Sequence, residues 1–152
     1  MLQRIQTVYL LIITVLMMLV LFMPLALMQA EGLFYTFDVM GLSAIKEPVE
    51  LLYPTWALVA LTSVSALLAL ITIFLYKNRV LQIRLCVFNT VLMLGFYALF
   101  AFYTLNFKAD LQAELMVKIA LSFPLIGLIL NYLAIRSIGA DEMLVRSLNR
   151  LR

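Results

Sequence analysis

The chain has 152 residues, no histidine and a single cysteine, Cys86. Without histidine there is no imidazole to act as a general base or a metal ligand near neutral pH. With one cysteine, neither an intrachain disulfide nor a Cys-X-X-Cys redox pair can form. Cys86 has only Arg84 nearby as an activating charge, so it reads as a packing residue rather than a nucleophile. Charge is scarce: 12% of residues are Asp, Glu, Lys or Arg, against about a quarter in ordinary soluble domains. No acid falls inside the apolar segments, where ionisable groups usually mark ion or proton pathways. No carboxylate cluster has metal spacing, and no glycine-rich phosphate loop is present. An enzyme would need Glu31, Asp38, Glu47 and Glu50 to converge, which nothing in the sequence requires. No catalytic residue and no cofactor is therefore expected.

What is there is apolar. Hydrophobic residues make up 66% of the chain, more than a soluble domain of this size can cover with polar groups, so lipid is the expected solvent. Four apolar runs reach the ~20 residues needed to cross ~30 Å of hydrocarbon: residues 5–28, 54–76, 83–107 and 116–138. An isolated element in lipid must satisfy its own backbone hydrogen bonds, and a helix does. The expected fold is an all-α membrane protein, a single domain over 1–152 forming a bundle of four transmembrane helices. The opening run looks superficially like a secretory signal. It is too long, however, and Met28 and Ala30 make a poor cleavage site before Glu31, so it reads as a retained helix.

Basic residues give the expected orientation, because short basic loops stay cytoplasmic. Arg4, Lys77, Arg79, Arg84, Arg136, Arg146, Arg150 and Arg152 fall on one side, and Lys46, Lys108 and Lys118 on the other. The N terminus, the hairpin 77–82 and the tail 139–152 are then cytoplasmic, in a bacterial inner membrane. The eight basic residues form a candidate inner-face surface. Its expected partners are anionic lipid head groups, with another protein as a second candidate, and not nucleic acid, despite the net charge of +3.

Three further features have local readings. In the outer connection 29–53, the alternation from Leu33 to Val39 between Gly32 and Gly41 predicts a short strand. Residues 45–53 read as a short amphipathic helix, with Tyr53 and Trp56 in an aromatic belt. In the tail, Asp141 reads as a cap, and Leu144, Leu148 and Leu151 form one face of a basic amphipathic helix suited to the inner leaflet or to a docking partner. Within the spans, Thr62/Ala66 and Ser65/Ala69 are small pairs four apart, read as bundle packing ahead of a dimer face. Asn89 and Asn131, each about 10 Å inside the inner end, form a candidate polar pair, close enough to bond directly or through water. Their first reading is a structural clamp; ligand binding is the alternative. Pro24 reads as ending or kinking the first span and Pro124 as kinking the fourth.

The opening Met-Leu-Gln-Arg-Ile-Gln-Thr-Val-Tyr-Leu-Leu, the hairpin from Lys77 to Cys86, the run Leu130-Asn-Tyr-Leu-Ala-Ile-Arg136 and the close from Asp141 to Arg152 resemble a family of small four-span proteins of unknown function from the Bacteroidetes. The resemblance covers essentially the whole chain. It implies an inner-membrane location and a joint inner surface including Arg4, Arg79, Arg84 and Arg136. It supplies no activity. The function expected from all this is that of a non-enzymatic subunit or accessory binding another protein. The alternative is a small homo-oligomeric transporter or lipid/quinone binder, its site lined by Asn89, Asn131, Ser122 and Pro124.

Overall fold

The computed structural model describes residues 2–30, 32–45 and 51–150, with side chains from 5 to 147 within those ranges. Its elements, in order, are α1 (Leu2–Phe22), β1 (Ala26–Ala30), β2 (Leu33–Phe37), β3 (Gly41–Ala44), β4 (Leu51–Pro54), α2 (Trp56–Phe74), α3 (Arg79–Leu111), β5 (Glu114–Val117), a 3-10 turn (Ile119–Ser122) and α4 (Phe123–Arg150). All four helices are long and apolar enough to cross a membrane.

The all-α expectation is wrong. The four helices carry a five-stranded antiparallel sheet in the order β4-β3-β2-β1-β5, built at one end of the bundle from two connections, β1–β4 between α1 and α2 and β5 between α3 and α4. The first apolar run is not one helix over 5–28. Met23 still closes a helical hydrogen bond on the Leu19 carbonyl, but Pro24 disfavours helix in the residue before it, and α1 stops at Phe22. Residues 26–30 then enter the sheet, where Ala26, Met28 and Ala30 alternate inward. Nothing in Ala-Leu-Met-Gln-Ala prefers a strand; the neighbouring strands on both sides override propensity. Likewise the fourth run does not begin as helix at 116. Residues 114–117 pair with β1 (Gln29 with Glu114, Ala26 with Val117).

The expected strand at Leu33–Val39 is present as β2, flanked on both sides by partners. The amphipathic helix expected over 45–53 is replaced at its end by β4, which pairs with β3 around a bulge between Leu42 and Ser43; residues 46–50 of that reading lie outside the described residues. The turn before β3 needs glycine at position 41, because a Cβ there would collide with the Tyr53 carbonyl.

One core joins sheet to bundle. Phe37, Leu42, Ala26 and Met28 from the sheet meet Val20, Leu58, Phe96, Phe100 and Phe107 from the helices. The Phe37 ring stacks on Phe100 (centroids 5.2 Å apart) and meets Phe107 edge-on at 5.3 Å. Tyr53 lies against Phe107 at 5.3 Å. These contacts explain why α3 runs 33 residues, about 50 Å at 1.5 Å per residue. Tyr97 Oη donates to the Leu121 carbonyl just before α4, so the 14 residues beyond Tyr97 project past the start of α4 and serve as the surface on which the sheet rests. A second core lies toward the hairpin end and includes Leu10, Ile13, Met17, Ala66, Ala69, Cys86, Met93, Ala134 and Ile138. Thr62, Ser65, Ala66 and Ala69 are all buried, so the small-residue stripe of α2 packs within this one chain.

Candidate functional site: a basic cleft and a polar clamp

At the hairpin end, Tyr76, Lys77, Asn78, Arg79, Val80, Leu81, Arg84, Glu142 and Val145 line an open cleft of about 720 Å³. The cleft exists because α4 does not stop at 138: it continues without a break to Arg150, and the tail expected as a separate helix is its last three turns. Asp141 lies in mid-helix and caps nothing. Instead the Arg79 guanidinium reaches both groups of that residue, donating to its carbonyl at 3.2 Å and lying 3.5 Å from its carboxylate. This contact, 62 residues apart in sequence, fastens the start of α3 to α4. Arg146 donates to Glu142 at 2.9 Å, one turn away on the exposed face.

Of the eight basic residues read as an inner surface, the structure brings Lys77, Arg79 and Arg84 to the cleft and Arg146 to its rim through Glu142. Arg79 is neutralised by Asp141. Lys77 and Arg84 are exposed and make no ion pair among the described residues. Arg136 is exposed on α4 but does not line the cleft. The side chains of Arg4 and Arg150, and all of Arg152, lie outside the described residues. The first-turn amides of Arg79, Val80 and Leu81 add partial positive charge, since Asn78 makes no side-chain cap and a helix start favours anions. The cleft is suited to a carboxylate or phosphate group.

Deeper in the bundle, the two asparagines are both buried, and each bonds to a different helix. Ser65 Oγ on α2 donates to Asn89 Oδ1 at 2.6 Å. Asn131 Nδ2 on α4 donates to the Cys86 carbonyl at 2.7 Å and to Thr90 Oγ1 at 2.9 Å. No hydrogen bond joins the two amides directly: Asn89 Nδ2 and Asn131 Oδ1 are both buried and without a partner among the described residues. The result ties α2 to α3 and α3 to α4. Gln82 adds a third tie, donating to the Thr72 carbonyl at 2.8 Å where α2 turns into α3. Sequence reasoning singled out the asparagines but not Ser65, Thr90 or Gln82, whose partners lie across the bundle rather than along the chain. Ser122 and Pro124 are not part of this group: Pro124 sits in the first turn of α4, where its missing N–H costs nothing, about 10 Å along the helix from Asn131.

In the turn between β2 and β3, Asp38 has a carboxylate oxygen buried without a partner among the described residues, and burial raises its pKa above the usual carboxylate value. Among the described residues no three His, Cys, Asp or Glu side chains gather as a metal site would require.

No curated protein and no solved structure matches the chain. A domain of unknown function, DUF4293, matches residues 2–151, and by that match the chain belongs to the DUF4293 family.

Proposed function

We propose that this protein is a non-enzymatic subunit or accessory of the bacterial inner membrane, with both termini cytoplasmic, that binds another protein. One observation carries the reading. The hairpin-end cleft presents Lys77 and Arg84, without an ion pair among the described residues, beside a helix start with no side-chain cap, although an acid, Glu142, lies in the same wall. A complementary acidic surface would complete it. The likeness of the hairpin and terminal motifs to proteins of the Bacteroidetes supports the bacterial inner membrane, and the crowding of arginine at this end supports its cytoplasmic side. Crosslinking in native membranes followed by gentle solubilisation and affinity purification tests the reading. The wild-type chain is expected to carry a crosslinked protein that Lys77→Glu/Arg84→Glu loses. Recovery of the chain alone from crosslinked membranes sinks it. A cysteine introduced at Asn78 in a Cys86→Ser background should be labelled only from the cytoplasm.

A second reading, a homo-oligomeric transporter or a lipid or quinone binder, draws support from the unpaired Asn89 Nδ2 and Asn131 Oδ1. A quinone or lipid head group hydrogen-bonded to both would favour it. A sample purified without bound lipid, with unchanged stability on quinone addition, counts against it.

A further inference from the structure

The sheet has two edges. The β4 edge ends in Pro54, which has no N–H to offer, and its ladder is bulged. The β5 edge is regular and free of proline: Glu114-Leu-Met-Val117. Its register fixes which backbone groups face outward. Lys118 N–H donates to the Leu25 carbonyl at 2.9 Å, and the pairs Leu27–Met116 and Gln29–Glu114 follow at steps of two. In an antiparallel ladder hydrogen-bonded pairs alternate with unbonded ones. Glu114 and Met116 therefore bond to β1, while Leu115 and Val117 point both N–H and C=O away from the sheet. Among the described residues no backbone group takes them. Leu115 is half-buried against the sheet core. Val117 lines a hollow of about 320 Å³ with Tyr97, Leu121, Ser122 and Leu125. Glu114 and Lys118 are exposed on the opposite face, at the two ends of the strand, with no ion pair among the described residues.

From this edge, this hollow and these two charges we infer that β5 is a strand-addition site for an extended polypeptide segment of another protein. The segment runs antiparallel to β5. Opposite Lys118 it carries an acidic side chain, opposite Val117 an apolar one that enters the hollow, and opposite Glu114 a basic one. Glu114, Met116 and Lys118 would face it in the closer, unbonded pairs, where cross-strand charges meet best. Backbone hydrogen bonds supply affinity in this mode and side-chain pockets supply selectivity. A second copy of the chain is not the occupant. β5 returns from the end of α3 toward α4 and so runs along the helices. Antiparallel self-pairing needs a two-fold axis across the sheet, which would invert one bundle relative to the other, and two copies in one membrane keep the same orientation.

The test does not depend on the proposed function, because it uses the purified full chain in lipid nanodiscs and a synthetic probe, acetyl-Thr-Asp-Val-Thr-Val-Lys-Thr-amide. The amides of Leu115 and Val117 should exchange rapidly in the free protein and become protected when the peptide binds, while Met116 stays protected throughout. Leu115→Pro removes an outward donor and leaves the β1 ladder intact, so it should weaken binding about tenfold or more while lowering Tm less than a break in the ladder does. Met116→Pro breaks the ladder itself and should lower Tm. A probe with Asp and Lys exchanged should bind about threefold more weakly. Leu115 and Val117 amides already protected in the free protein, no binding of the probe, or full binding to Leu115→Pro would each overturn the inference.

Discussion

The two ends of the molecule are fastened by different chemistry. At the sheet end, strands from two connections of the chain close over aromatic rings, with Phe37 fully buried between Phe100 and Phe107. At the hairpin end, an ion pair, a main-chain contact from the same arginine and a hydrogen bond from the Gln82 side chain to the Thr72 carbonyl hold the helices together. Apolar burial has no charge for salt to screen, whereas a partly exposed ion pair is weakened by screening. The sheet end should therefore behave as a rigid fixture and the hairpin end as the adjustable one, which fits a docking surface at the cleft.

The sharpest way to break that contrast is Phe37→Ala. Removing a fully buried ring should cost about 3–5 kcal/mol in a detergent unfolding series; a loss under about 1 kcal/mol would mean the sheet is not a fixture. Asn131→Leu comes next. It keeps the volume but removes two bonds to α3 and should cost about 1–2 kcal/mol, given that bonds within membranes average ~0.6 kcal/mol each. An unchanged or raised stability would show that the clamp does not hold. The Arg79–Asp141 contact should give a coupling of about 0.5–1 kcal/mol in a double-alanine cycle, shrinking as salt rises. A coupling indifferent to salt would erase the distinction between the ends.

The smallest effect probes the sheet end by pH. The folded-state pKa of Asp38 is raised, so the fold favours its protonated form. That preference stabilises the fold at low pH and is lost as pH rises through the folded pKa. Asp38→Asn should therefore raise Tm slightly at pH 7, on the order of 1–2 °C, and make no difference near pH 3. A lower Tm for the variant at neutral pH would contradict the burial account.

How much of this was legible beforehand differs by region. The helices announced themselves because lipid-facing surface demands an unbroken apolar run, and three of the four had clear polar breaks. The strand at 33–37 was visible because Leu33, Tyr35 and Phe37 alternate with Phe34 and Thr36 between two glycines. β1 and β5 were hidden for opposite reasons. Ala26–Ala30 lies inside an apolar run that helix periodicity also fits, so only Pro24 marked the change. Glu114–Val117 is too short to carry a pattern, and its strand state comes wholly from pairing with β1. At the cleft, the surplus of basic residues was evident from composition, yet the Arg79–Asp141 contact was not, because Asp141 has the residue type and position of a helix cap. Asn89 and Asn131 stood out as amides in apolar surroundings. Their separate partners did not, since Ser65 and Thr90 are ordinary small residues until the helices are packed.

Helix α3 reaches from the cleft to the sheet, with Arg79 at one end and Phe107, 28 residues on, under the aromatic cluster. It contains no proline to absorb bending. It acts as a mast stepped in both decks. A tilt of roughly 5° about its midpoint would swing each tip by about 2 Å, enough to slide a ring across its neighbour or open an ion pair. A displacement at its foot would therefore carry to its head.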